Sequence, residues 1–186
     1  MSNNQERCSI CNEELTKFGN KTLKDGVLCR NCVKLASEWL SDDDYAKRSV
    51  EDMKKHLKYR EENLKKLDGF VSSRKIEGKY SVYIDDENGN FLVSKRKDLK
   101  KDNPDIVSLK NVEEITVTQE KYLDNGGMDV FFEAKIDNDE INTIRFRVNE
   151  FPGVEADSED FESANKTALD YLDAIAGDEF EEVKEG

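Results

Sequence analysis

The four cysteines of this chain of 186 residues are Cys8, Cys11, Cys29 and Cys32. They form two C-x-x-C pairs, Cys8-Ser-Ile-Cys11 and Cys29-Arg-Asn-Cys32, with seventeen residues between the pairs. This spacing matches that of a four-thiolate zinc site. Each C-x-x-C turn aims two sulfurs at one point, and two such turns complete a tetrahedron around Zn²⁺. A Cys₄ tetrahedron leaves no position for water or substrate, so the expected zinc is structural and the chain is expected not to be an enzyme. No catalytic and no organic-cofactor residue is assigned. Two disulfides belong to an oxidising compartment. Tetrahedral S₄ also suits iron. A thioredoxin-like pair needs a βαβ setting, and none surrounds these cysteines.

The elements that must hold the sulfurs can be read around them. Thr22-Leu-Lys-Asp-Gly-Val-Leu28 contains the turn dipeptide Asp25-Gly26, which predicts a short hairpin delivering Cys29. Cys32 opens a helical stretch, Val33 to Leu40, with apolar Val33, Leu35, Ala36, Trp39 and Leu40. Knuckle, hairpin and helix together predict a treble-clef-like module over residues 1–40. So small a module depends on its metal for much of its folding energy.

Residues 41–69 are expected to form a connecting amphipathic helix. Ser41-Asp-Asp-Asp44 is a break or a helix start, and Ser49-Val-Glu-Asp52 resembles a capping box. Val50, Met53, Leu57, Leu64 and Leu67 recur at three- and four-residue steps, with Arg60 in the missing place. That stripe is expected to dock on the domain that follows. His56 lies off it and is expected to be solvated.

From Val71 the period changes to that of strands. Segments 80–84, 91–93, 106–109, 112–118, 128–136 and 141–148 alternate, separated by turns at Asn88-Gly89, Asp124-Asn-Gly-Gly127 and Asp137-Asn-Asp139. Pro152-Gly153 stops the last strand. A helix carrying Phe161, Ala164, Ala168, Leu169, Leu172 and Ile175 follows, capped by Asp157 or Ser158 and closed by Gly177. The reading is an α+β chain, with an antiparallel β sandwich or partly open barrel and a C-terminal helix over residues 70–177. Residues 178–186 read as an acidic tail.

Charge separates the two halves. Residues 1–78 carry 16 Lys and Arg against 14 Asp and Glu, whereas the remainder carries 13 against 28. The second half is therefore expected to repel nucleic acid and anionic lipid, and to suit a basic partner or plain solubility. Charged residues make up 38% of the chain and no apolar run approaches a bilayer span. The opening Met1-Ser-Asn-Asn-Gln-Glu-Arg7 has no secretory pattern, so a cytoplasmic location is expected.

The segment from Cys8-Ser-Ile-Cys11 to Leu23-Lys-Asp-Gly-Val-Leu-Cys29-Arg-Asn-Cys32 resembles a small zinc-binding module of unknown function in bacterial, chiefly Gram-positive, proteins. The Leu-Lys-Asp-Gly stretch ahead of the second pair carries the likeness. The resemblance implies zinc ligation by Cys8, Cys11, Cys29 and Cys32. It also implies fusion to a β-rich domain similar to bacterial pleckstrin-homology-like folds. A phage origin is also consistent with a small acidic protein of this sort.

Asp85-Asp-Glu-Asn-Gly89 superficially resembles a calcium loop but lacks its alternating ligands, and a turn is expected. The basic stretch Lys95-Arg-Lys-Asp-Leu-Lys-Lys101 could grip phosphoinositides or phosphoproteins, although a solvated loop is the expectation. Arg30, Lys17, Lys21 and Lys24 could touch nucleic acid. The leading expectation is a non-enzymatic protein-interaction or adaptor protein with a structural zinc. Nucleic-acid binding through the zinc module, and a small-ligand pocket in the β domain, are the alternatives.

Overall fold

A computed structural model describes residues 7–123 and 126–177. The chain divides into two compact units, Met1–Lys66 and Leu67–Gly186. The described part is a mixed α+β structure with antiparallel sheets. Among the described residues no helix is long and apolar enough to cross a membrane.

The first unit begins with a two-stranded ribbon, β1 (Lys21–Thr22) and β2 (Val27–Leu28), in antiparallel register. Three helices follow: α1 (Arg30–Leu35), α2 (Asp42–Lys47) and α3 (Val50–Lys66). Ser41 starts α2 through a capping box with Asp44, so Ser41-Asp-Asp-Asp44 is a helix start rather than a break. The expected box at Ser49 is present too: Asp52 N–H donates to Ser49 Oγ at 3.1 Å, and Ser49 N–H donates to Asp52 Oδ2 at 2.9 Å. The helix expected from Cys32 to Leu40 starts earlier and stops at Leu35, where Ala36 turns extended.

The core of this unit gathers Cys8, Leu23, Leu28, Cys29, Cys32, Ala36, Tyr45 and Met53. The buried face of α3 departs from the apolar stripe. Met53, His56, Arg60 and Asn63 are buried at three- and four-residue steps, while Leu64 remains 42% exposed. The expectation of a solvated His56 is therefore corrected, since the ring is wholly buried. Its Nε2 accepts a hydrogen bond from Ser37 N–H at 3.1 Å, and Arg60 Nε donates to Leu35 O at 3.3 Å. Burial selected residues that could satisfy the backbone at the end of α1, and hydropathy alone does not reveal that demand.

Among the described residues the second unit contains two antiparallel sheets and no closed barrel. One has the order β3 (Arg74–Ile76), β4 (Ser81–Asp85), β5 (Asn90–Ser94), β6 (Val107–Ser108). The other has the order β7 (Val112–Lys121), β8 (Met128–Ile136), β9 (Thr143–Arg147). A single helical turn, α4 (Leu99–Asp102), lies between β5 and β6, and α5 (Glu159–Ala176) closes the described chain. The expected acidic tail, and part of the turn at residues 124–127, lie outside the described residues.

Sequence alternation matches this sheet closely. The segment 128–136 is β8, and the hairpin at Asn88-Gly89 joins β4 to β5, with Gly89 at φ +64°. Strand β3 was not expected, since its Arg-Lys-Ile has no legible alternation. The first sheet is buried on both faces. Val82, Ile84, Phe91 and Val93 point to one side, and Tyr83 and Leu92 join Leu67 on the other. The Tyr80 and Phe146 rings sit 4.4 Å apart, and Tyr171 of α5 meets Phe132 edge-on at 5.8 Å. Tyr171 Oη donates to Tyr80 O, so its polar end is satisfied within that core. Ser158 caps α5, accepting from Phe161 N–H, and Gly177 ends it at φ +59°.

Candidate metal centre

The first cysteine pair lies on a knuckle that its own backbone closes. Cys8 N–H donates to Glu13 O at 2.8 Å, Asn12 N–H donates to Cys8 O at 3.0 Å, and Asn12 takes φ +60°. An antiparallel bridge between Arg7 and Glu14 seals the base of the loop. Ser9 then ties the knuckle to the hairpin: its N–H donates to Val27 O at 2.8 Å, and its Oγ accepts from Val27 N–H at 3.0 Å.

The second pair lies at a helix start. Cys29 is the N-cap of α1, and its sulfur accepts from Cys32 N–H at 3.5 Å. Asn31 Nδ2 donates to Glu13 Oε2 at 3.1 Å, which links α1 to the first knuckle.

The ribbon β1–β2 sets the distance between the pairs. Lys21 pairs with Leu28 and Thr22 with Val27, so the turn is centred on Lys24-Asp25 and not on Asp25-Gly26. Gly26 serves a different need. A Cβ there would lie 2.5 Å from Ser9 Oγ and 2.6 Å from Val50 Cγ2. The site thus requires the absence of a side chain where hairpin, knuckle and α3 converge. Asp25 Oδ1 accepts from Val50 N–H at 2.7 Å, satisfying a backbone donor at the first turn of α3.

All four sulfurs lie within 4.8 Å of one another. Cys8 Sγ is 3.8 Å from Cys32 Sγ, and Cys11 Sγ is 3.5 Å from Cys29 Sγ. None of the four cysteines is in a disulfide; three are buried and Cys11 is exposed. A metal–sulfur bond of about 2.3 Å makes the edge of a tetrahedron about 3.8 Å, so these separations fit one ion at the centre.

Thiol electrostatics agree with that fit. Burial opposes ionisation of Cys8, but backbone hydrogen bonds from Cys11, Cys29 and Ile10 outweigh it and bring its pKa down to about 6. Cys32 moves upward, chiefly through burial and then through the neighbouring sulfurs. Cys11 also rises: its backbone hydrogen bond with Glu13 lowers it, but partial desolvation and the Cys29 sulfur prevail. One thiolate at this point discourages the next, and a dication removes that conflict.

The remaining candidates disperse. Asp85 accepts from Asn88 N–H at 3.1 Å and from Asn88 Nδ2 at 2.8 Å, while Asp86 grips Arg74 and the Ser73 hydroxyl. The Asp85 carboxylate serves the turn, as expected, and that of Asp86 ties the turn to the start of β3. In the basic stretch, Lys95 stands 4.8 Å over the Tyr80 ring, Arg96 meets Asp102 at 3.6 Å, and Lys100 meets Asp68 at 2.6 Å. The expected solvated loop is thus partly a pinned helical turn, with Asp98 as its cap. Lys21 is engaged by Asp42 and lies over Tyr45, and the Arg30 stem packs against Gly19. A shallow cleft of about 230 Å³ lies beside Lys79, Phe151 and Ser163. Ligand pockets are usually ~300–1,000 Å³, so it falls below that range.

Residues 6–56 match the model of a family described as a domain of unknown function, DUF4428. That span holds all four cysteines and reaches His56, the residue that sequence reasoning placed in solvent. No curated protein and no solved structure matches the chain. What the chain shares with a known family is thus the four-cysteine region with the start of α3, a domain whose function is unknown.

Proposed function

We propose that the chain is a non-enzymatic interaction protein whose first unit is held by one structural Zn²⁺ on Cys8, Cys11, Cys29 and Cys32. The observation that carries this reading is the sulfur cluster, with contacts of 3.5 and 3.8 Å. Four protein thiolates fill a tetrahedral ion and leave no position for substrate, so the metal shapes the unit rather than performing a reaction. Knuckle, ribbon and α1 support a treble-clef-like description. In the second unit, a four-stranded and a three-stranded antiparallel sheet followed by α5 support a pleckstrin-homology-like description. That unit is read as the part that binds a protein partner in the cytoplasm of a bacterial or phage-infected cell.

Metal analysis of untagged protein, with native mass spectrometry of the same sample, tests the first half. One zinc per chain supports it, whereas iron, or metal-free oxidised thiols, overturns it. Photo-crosslinkers placed across the second unit in living cells test the other half. Protein adducts mapping to residues 67–177 support it. Nucleic-acid adducts, or none, overturn it.

A further inference from the structure

The three-stranded sheet leaves one long side open. Among the described residues β7 pairs only with β8, along a ten-residue edge. The register places Ile115 opposite Ala134, Val117 opposite Phe132 and Gln119 opposite Val130. These three β8 partners are fully buried, so the β7 row faces the same core side, yet Ile115 and Val117 are only half-buried and Gln119 is exposed. Gln119 Nε2 donates to Asn165 Oδ1 at 2.8 Å, which fixes the flank of α5 that borders this row. Leu169 and Leu172 continue that flank at steps of four and three, and Leu169 is 45% exposed. Half-buried Ile115 and Val117 therefore lie, with the flank of α5 that carries Leu169, beside a strand edge whose outer backbone groups make no ladder among the described residues.

We propose that this edge of β7, with Leu169 and Leu172 of α5, docks an extended basic peptide of a partner protein, which adds to the sheet as a fourth strand. The proposal rests on the protein-binding reading of the second unit and names its site. Alternate apolar side chains of the peptide pack over Ile115 and Val117, and the residues between them face outward. Charge selects the occupant. Residues 79–186 carry 28 acids against 13 bases; on β7, Glu114 is paired with Lys135 and Glu120 with Arg145, while Glu113 is exposed with no ion pair to a described residue. A second copy is disfavoured on the same ground: antiparallel self-pairing centred between Thr116 and Val117 sets Glu113 against Glu120.

The test pans a phage library of random linear peptides on the full-length protein and then synthesises the most enriched sequence. Enrichment of alternating apolar and basic residues is expected. Affinity should fall about tenfold on Leu169→Glu and recover most of its value in Leu169→Met. N-methylation of one alternate set of peptide amides should abolish binding while the other set is tolerated, a readout that needs no protein variant. Equal tolerance of both sets, affinity unchanged by Leu169→Glu, concentration-dependent dimers joined through β7, or no enrichment overturns the edge proposal. Protein crosslinks on residues 67–177 that persist in that event leave the broader reading standing, and their absence removes it as well.

Discussion

The two units reach stability by opposite routes. In the first, three of eight core residues are cysteines, and the buried face of α3 is built from Met53, His56, Arg60 and Asn63. In the second, Phe132, Phe146, Tyr80 and Tyr171 form contiguous aromatic packing between sheet and helix. A small unit with a polar interior has little apolar area to bury, and a metal can supply what is missing. The larger unit covers its sheets with its own side chains. The difference teaches that the four-cysteine cluster and the β fold answer separate needs, and it can be broken or sharpened one residue at a time.

The largest effect is expected from Cys29→Ser, which removes a ligand and the N-cap of α1 together. Structural zinc contributes roughly 10–16 kcal/mol of binding free energy near neutral pH, more than a unit of this size can replace. Amide NMR should show loss of dispersion for residues 7–66 and its retention for 67–177. Collapse of the whole spectrum would show one cooperative domain instead. Next in size is Phe132→Ala. It should cost the second unit about 3–5 kcal/mol in urea unfolding while leaving the metal stoichiometry unchanged, and a loss of metal would break the comparison.

His56→Leu sharpens it. Removing the acceptor of Ser37 N–H should cost the first unit about 1–3 kcal/mol with the metal retained. An unchanged unfolding midpoint would mean that the polar face of α3 is dispensable. The smallest effect concerns Asp86, whose carboxyl pKa is lowered to about 2, first by Arg74 and then by the Ser73 hydroxyl. A depressed carboxylate stabilises the fold above its unfolded pKa of about 3.9, and its contribution is lost as pH falls from there towards about 2. Asp86→Asn should flatten the second unit's acid dependence in that window. The pair is exposed, so the change in urea midpoint will be modest, and an identical acid profile would discard the assignment.

Much of both units was legible because the signals are local. C-x-x-C spacing marks the four cysteines that cluster, period-two alternation marks β8, and the run from Ser158 to Gly177 marks α5 with its caps. What escaped depends on neighbours distant in sequence. Strand β3 carries Arg-Lys-Ile and owes its existence to pairing with β4. His56 and Arg60 are buried in preference to Leu64 because α3 faces the end of α1, where backbone groups need partners.

The sequence by itself determined the four-cysteine set, the antiparallel β character of the second unit and the charge contrast between the halves. Each is carried by residue type and short-range spacing. Tertiary structure alone decided that four sulfurs meet within 4.8 Å, that Gly26 is needed for space and not for its φ, and that β7 keeps an open side beside α5. Those outcomes depend on which surfaces come into contact. Periodicity states that a face must be buried, but not what will cover it.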